Sequence, residues 1–423
     1  MRQTNTNRKT IIAGIIGNVM EWYDFAIYGY FAPIIGAHFF PSDDPATSVI
    51  AAFGVFAAGF LMRPFGSLVF GHIGDRVGRK AALTLSVILM AIPTFLIGVL
   101  PDYVAIGIAA PALLVVMRLL QGLSVGGEYT TSIVFLVEHA PKNRRALTGC
   151  WSIWGAVAGV LLGSAIGALI SNLLTAEEIS AWGWRVPFLL GIAIGLSGLY
   201  IRRHVMEETT LKEDRPKSPV VEAFRTEWRT MLQIAGFNVV NAVGFYMIFV
   251  YAVTWLKETA HVTTARALDI NSLNMFLMLL MIPLAAMIAD RFGRKVVLMS
   301  AMIGIVLFSY PLFWLMHHDA DGITFLGQFG FAFLISMIFG SYPTMMVDMV
   351  APRLRVSTIS IGYNLSLGIL GGTTPMVAAY LVARTHVDLS PAFYLMGAAV
   401  ISMLTLLTIK ETVTDRREVM HSD

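Results

Sequence analysis

The chain has 423 residues, of which 56% are hydrophobic and only 13% charged, with a formal net charge of +3 and a mean hydropathy of +0.70. A soluble domain carries about a quarter charged residues, so this composition excludes a soluble enzyme and points to an integral membrane protein. A single cysteine, Cys150, excludes an intrachain disulfide and a cysteine-based metal cluster, and nothing in the charge balance suggests nucleic acid.

The first apolar stretch runs from about Ile11 to Phe40 and holds two acids, Glu21 and Asp24, within GNVMEWYDFAIYGY at residues 17–30. It is too long for a signal-peptide core and has no small-residue cleavage site, so it reads as a retained helix. A carboxylate in hydrocarbon costs about 2.5 kcal/mol or more, which makes an intramembrane acid a hypothesis about a proton, an ion or a substrate. Three residues apart, the two acids share a helical face that Asn18 and Tyr28 extend. Counted from Lys9 at about 1.5 Å per residue, Glu21 lies about 18 Å deep, near the bilayer midplane.

Twelve apolar stretches are expected to span, centred near residues 25, 59, 90, 122, 160, 192, 243, 279, 305, 337, 368 and 400, the eighth opened by Asn271 and Asn274. The second carries Arg63 beside Pro64 and Gly66, and the fourth carries Arg118, Gln121 and Glu128 within about a third of the helix circumference. Charges this deep must pair or be neutralised. The economical arrangement is one buried network of Glu21, Asp24, Arg63, Arg118 and Glu128, three acids against two cations. Its surplus carboxyl suits a proton carrier. One of Glu21, Asp24 or Glu128 is expected to take a coupling proton, while Arg63 or Arg118 binds a substrate carboxylate through a two-pronged contact.

The later spans hold neutral polar groups instead: Asn238, Asn241, Tyr246, Gln328, Tyr342 and Asn364. The expected substrate lining combines Arg63, Arg118, Gln121, Tyr28 and Trp154 with Asn241, Tyr246 and Asn364. Trp22, Tyr23, Trp151 and Tyr363 join Tyr28, Trp154 and Tyr246 as aromatics in or near cavity-lining spans, and an aromatic cage suits a quaternary ammonium. Interhelix packing competes for each of these polar and aromatic groups.

Of the 30 Lys and Arg residues, 24 fall in the N-terminal stretch, the even-numbered turns and the C-terminal stretch, and 4 in the odd-numbered turns, with Arg63 and Arg118 inside spans. That bias predicts both termini in the cytoplasm. The longest polar break, residues 202–229, divides a six-helix half at 1–201 from a second at 230–423. Repetition supports the division: GDRVGRK at 74–80 returns as ADRFGRK at 289–295, and EHAPKNRR at 138–145 has a looser echo in DMVAPRLR at 348–355. Two such halves make a transporter plan with the substrate between them.

The loop from Gly71 to Lys80 resembles the signature loop of the major facilitator superfamily, and length, span count and the repeated loop agree with that resemblance. The resemblance implies an all-α membrane fold of twelve transmembrane helices in two pseudo-symmetric six-helix halves. It implies a gating role for Asp75, Arg76 and Arg79, and for Asp290 and Arg291 in the second copy, which has Ala286 where the first has Gly71. GNVMEWYDF at 17–25, GFLMRPFGSLVFG at 59–71, RLLQGLSVGGEY at 118–129 and GWRVPF at 183–188 narrow the resemblance to the metabolite:proton symporter family, which includes transporters of proline/betaine, 2-oxoglutarate, citrate and shikimate. Some osmolyte carriers of that family have a long C-terminal coiled coil; ETVTDRREVMHSD, after Lys410, has no heptad pattern.

The expected activity is proton-coupled symport of a small carboxylated metabolite, an organic acid anion, into a bacterial cell across its inner membrane. Proline or glycine betaine, a zwitterion, is the second expectation; an uncoupled facilitator and a non-transporting sensor are more remote. The expected partners are the small-molecule substrate, protons and lipid, with the chain as a monomer. No cofactor, metal site or enzymatic chemistry is expected: the sequence has no nucleotide loop, His/Glu metal spacing or nucleophile motif.

Overall fold

The computed structural model describes residues 18–409 apart from 20, 67–68, 70–78, 126–127, 139, 206–218 and 319, and within helices it leaves out the side chains of 79–84, 128, 194, 197–205, 219–220, 321 and 353. Among the described residues every regular element is helical. Twelve long apolar helices are present: α1 (residues 21–30 and Ala32–Phe39), α2 (Pro45–Gly66), α3 (Arg79–Val99), α4 (Ala109–Ser124 and Glu128–Glu138), α5 (Arg145–Leu173), α6 (Val186–Val205), α7 (Trp228–Thr259), α8 (Thr264–Phe292), α9 (Arg294–Met316), α10 (Asp321–Asp348), α11 (Arg355–Thr385) and α12 (Ser390–Thr408). Each contains one of the twelve expected centres. By length and apolarity nine of them, α2, α4, α5 and α7 to α12, satisfy the requirement for crossing a bilayer.

Local chemistry sets the helix starts. Asp44 caps α2 by accepting from the Ala46 N–H, with Pro45 at the first helical position, and Thr263 caps α8 by accepting from the Arg266 N–H. The expected polar break at 202–229 is partly helical: α6 continues to Val205, and a short helix, Pro219–Thr226, packs against α11 before α7 begins.

Helix pairs join the two parts of the chain. The α5 helix lies along α8 and α2 along α11, while α3 packs on α6 and α9 on α12. Backbones meet where α2 crosses α4. A Cβ on Gly122 would stand 1.8 Å from the Gly59 carbonyl oxygen, and one on Gly66 would stand 1.9 Å from that of Leu123. Only glycine permits this approach, which brings Arg63 and Arg118 to the same level of the bundle.

Two helices loosen at mid-length. A π-helical turn covers Met247–Tyr251 in α7 and another covers Leu367–Gly371 in α11. Side chains recover the carbonyls released in α7: Gln328 Nε2 donates to Ile248 O at 2.9 Å and Asn271 Nδ2 to Phe249 O at 3.4 Å. The asparagine that interrupts the eighth apolar stretch thus satisfies a backbone that would otherwise be unpaired in an apolar interior.

Gly122→Ala is expected to force α2 and α4 apart and lower the Tm of the detergent-solubilised protein, with the ~1–3 kcal/mol cost of overpacking. Gly397→Ala, where an added Cβ meets nothing within 4 Å, should leave Tm unchanged. Equal Tm values for the two variants would contradict the backbone contact.

Candidate functional site

The first helix turns both acids inward, leaving Glu21 6% and Asp24 4% exposed. They meet different partners. Arg63, reaching from α2, donates from Nη2 to Glu21 Oε1 at 2.6 Å. Asp24 faces α3 instead, where the Thr94 hydroxyl lies 2.7 Å from Oδ2. Gln121 Nε2 donates to Thr94 Oγ1 at 2.7 Å, and Arg118 Nη1 donates to Gln121 Oε1 at 2.8 Å. Asp24 and Arg118 are therefore connected through two neutral side chains.

A ring separates the two clusters. Phe25 lies 5.5 Å from the Arg63 guanidinium and 4.7 Å from that of Arg118. Phe60 and Trp22 complete the surroundings of Arg63, at 5.0 and 5.3 Å, while Tyr28 and Phe56 flank Arg118 at 4.4 and 5.4 Å. Ring faces supply negative potential where no water reaches. Of the single network expected from the sequence, the described residues show Glu21 with Arg63 and Asp24 linked to Arg118 through Thr94 and Gln121, with Phe25 between them; the side chain of Glu128, its fifth expected member, lies outside the described ones.

Beside the Glu21–Arg63 pair, a narrow pocket opens between α1, α5, α7, α10 and α11. Trp22, Asn241, Phe245, Tyr246, Phe339 and Tyr363 line it, with Ile153 and Val157 on the α5 side. Trp22 and Tyr246 stack with centroids 6.3 Å apart. Near it, Trp22 Nε1, the Tyr246 hydroxyl, and Nε and Nη1 of Arg63 are buried and have no hydrogen-bond partner among the described residues. Together they offer N–H and O–H donors beside aromatic faces.

Of the expected lining residues, Asn241 and Tyr246 border this pocket and the rest do not. Arg118 and Gln121 belong to the Asp24 chain, and Tyr28 covers Arg118 while its hydroxyl donates to Ala52 O. Trp154 donates to Leu279 O at 3.0 Å, joining α5 to α8; the pocket face of α5 is its neighbour Ile153. Asn364 points along α11 to Ser360, and Tyr363 next to it reaches the pocket. The last two displacements are rotations of one helical position. The side chain of Glu128, the first residue of the second segment of α4, lies outside the described ones. Thr94, Phe25, Phe245 and Phe339 were not singled out from the sequence; a lone threonine after Pro93 in an apolar run was the available hint for the first.

Contacts join helices at both ends of the bundle. At the end bearing the basic turns, Asp290 accepts from the Ala146 and Leu147 N–H groups, capping α5. Asp348 accepts from Arg145 at 2.6 Å and from Arg294 at 2.9 Å, and Glu138 accepts from Arg355 at 2.8 Å. The loose sequence echo thus becomes a reciprocal exchange: the acid of each copy holds the arginine of the other. Asp290 takes part, while Arg291 is exposed with its guanidinium over Phe292 at 5.4 Å. Asp75 and Arg76, and the side chain of Arg79, lie outside the described residues. The opposite end is held by neutral or singly charged contacts, Tyr30 with Asn271, Ser164 with Ser272 and Asn172 with Asp269.

Residues 9–215 match the family model of sugar (and other) transporters, and residues 234–420 match that of the major facilitator superfamily. Over 420 residues the chain is 35% identical to the proline/betaine transporter of Salmonella typhimurium, covering 96% of this chain and 84% of that one. It is 37% identical to the glycine betaine/proline/ectoine/pipecolic acid transporter of Dickeya dadantii, covering 96% and 83%. Among solved structures, a D-xylose-proton symporter superposes with a TM-score of 0.73 at 18% identity, over 94% of this chain and 96% of that one. A partially occluded, inward-open xylose transporter from E. coli gives 0.71 at 17%, over 96% and 98%.

The sole thiol, Cys150, is buried on α5 five residues from Arg145 and reports on closure of the basic end. Asp348→Asn removes the carboxylate that Arg145 and Arg294 share and should raise the rate of maleimide labelling of Cys150 several-fold. Asp43→Asn, at an exposed site, should not. An unchanged rate in the first variant would show that these pairs do not hold that end closed.

Proposed function

The chain belongs to the major facilitator superfamily, in its metabolite:proton symporter family, and on that footing we propose that it imports a small zwitterion of the proline or glycine betaine kind together with a proton. The observation that carries this reading is the pocket lined by Trp22, Tyr246 and Tyr363, where aromatic faces stand next to Trp22 and Tyr246 donors that have no hydrogen-bond partner among the described residues. A zwitterion uses both features. Its carboxylate accepts from the Tyr246 hydroxyl and Trp22 Nε1, and its ammonium lies against the rings of Trp22, Tyr246 and Tyr363.

Charge balance also favours this over an organic anion, the first expectation from sequence. Arg63 is already matched by Glu21, and Arg118 is enclosed by rings and directed through Gln121 towards Asp24. No surplus cation is directed into the pocket among the described residues. An anion would enter with its charge uncompensated, whereas a zwitterion brings none in excess. The relatives support the same preference, since their names specify proline, betaine and similar solutes.

For the coupling proton we assign Asp24. Glu21 has an arginine at 2.6 Å, while Asp24 meets a neutral hydroxyl and, among the described residues, no cationic nitrogen within 4 Å. Protonation there changes a charge without dismantling an ion pair. Residues 1–201 and 230–423 are taken as the two moving halves, with 202–229 between them and the Asp290 and Asp348 contacts as the inner gate. The bias of Lys and Arg supports both termini on the cytoplasmic side of a bacterial inner membrane.

Proteoliposomes with an imposed pH gradient test the assignment. Asp24→Asn should abolish gradient-driven accumulation of glycine betaine and retain exchange of internal for external solute; undiminished accumulation would exclude Asp24. Trp22→Leu should raise the KM for glycine betaine roughly 2- to 30-fold, the ~0.5–2 kcal/mol of one cation–π contact. Uptake blocked by dicarboxylates and indifferent to proline would restore the organic-anion reading.

A further inference from the structure

Thr94 Oγ1 has three neighbours at hydrogen-bond distance: Asp24 Oδ2 at 2.7 Å, Gln121 Nε2 at 2.7 Å and the Met90 carbonyl oxygen at 2.8 Å. Their donor and acceptor characters differ. A guanidinium only donates, so Arg118 fixes the Gln121 amide with its oxygen towards Arg118 and its N–H towards Thr94. Gln121 therefore always occupies one lone pair of the threonine oxygen. The Met90 carbonyl only accepts. The single hydroxyl proton of Thr94 is left with two destinations, and which one it takes depends on Asp24.

We propose that Thr94 is the positioning residue of the proton site, its hydroxyl reversing direction each time Asp24 gains or loses a proton. With Asp24 ionised, Thr94 donates to Oδ2. When a proton arrives from water and forms the O–H bond at Oδ2, that new O–H donates to the second lone pair of Thr94, and the threonine proton turns about Cβ–Oγ1 to Met90 O. Thr94 neither gains nor loses a proton. Asp24 Oδ2, Thr94 Oγ1, the Gln121 amide and Arg118 Nη1 each keep a partner in both states without displacement of a heavy atom. A rotor of this kind lets the carboxyl change charge in a dry interior without costing Oδ2 or the threonine hydroxyl its hydrogen bond in either state.

The groups around Asp24 leave this task to Thr94. From its own helix Tyr23 donates away, to Pro187 O at 2.8 Å, and from α4 Arg118 stands behind Gln121. From α6 the site meets Gly191, where an added Cβ would lie 3.5 Å from Asp24 Oδ1 and 2.5 Å from the Thr94 methyl. A threonine that merely donates to the carbonyl four residues back is common in apolar helices. That commonplace role predicts no effect on Asp24.

The inference rests on the assignment of Asp24 as the proton carrier, and the test separates the two. The full-length protein in lipid nanodiscs is titrated with pH while infrared difference spectra follow the protonated-carboxyl stretch. Asp24→Asn should remove one component of that band, which identifies it. Thr94→Val, equal in shape and lacking the hydroxyl, should shift the frequency of the component and move its titration midpoint by about one pH unit or more, the scale of a lost charge-assisted hydrogen bond. Thr94→Ser should reproduce the wild-type band; Thr94→Ala replaces the valine variant if that one does not fold. A Thr94→Val spectrum identical to wild type overturns the rotor and leaves Asp24 standing. A band untouched by Asp24→Asn overturns both.

Discussion

The contact between Arg63 and Glu21 is what the middle of the bundle is arranged around. Both groups are removed from water, and breaking such a pair by deleting one member costs about 3–5 kcal/mol because the survivor is left charged and alone. The protein meets that cost with the direct 2.6 Å hydrogen bond and with rings of Trp22, Phe25 and Phe60 placed around the guanidinium. Bringing Arg63 to the acid requires α2 and α4 to cross without side chains between them, which is where Gly59, Gly66 and Gly122 lie. Remaining polar demand at the pocket wall is that of Trp22 Nε1 and the Tyr246 hydroxyl, with Nε and Nη1 of Arg63 behind the Trp22 ring.

A second consequence concerns how charge is divided. Pairing Glu21 with Arg63 leaves Asp24 to a hydroxyl, and Phe25 keeps the two acids from sharing a cation. Under the proposed function one acid thus stays with the substrate site and the other is available to a proton, although only three residues separate them in the chain. The two tasks are insulated by an aromatic ring and linked by the helix that carries both.

The two ends of the bundle close by different physics. Arginines bridge to Asp348 and Glu138 at one end, and mostly hydroxyls and amides meet at the other. Charge-assisted bonds are roughly twice as strong as neutral ones and sensitive to salt where exposed. Opening the basic end therefore exchanges ion pairs for hydrated ions. The other end exchanges mostly neutral hydrogen bonds for water.

Hydropathy alone located all twelve helices, because a chain in hydrocarbon must satisfy its backbone internally and so spans as helices of predictable length. The repeated loop likewise announced two related halves, and the inward placement of Glu21, Asp24, Arg63 and Arg118 followed from the cost of exposing charge to lipid. What the sequence left open was how each helix turns about its own axis and what stands beside it. A rotation of 100° per residue fixes which side chains share a face on one helix, and says nothing about which neighbour that face meets. Tertiary packing decided that Phe25 parts the acids, that Thr94 and not an arginine meets Asp24, that Tyr363 rather than Asn364 reaches the pocket, and that Glu138 and Asp348 exchange arginines. Each depends on a contact between residues distant in sequence, and in a chain this uniformly apolar it is close packing, not polarity, that selects among the possible faces.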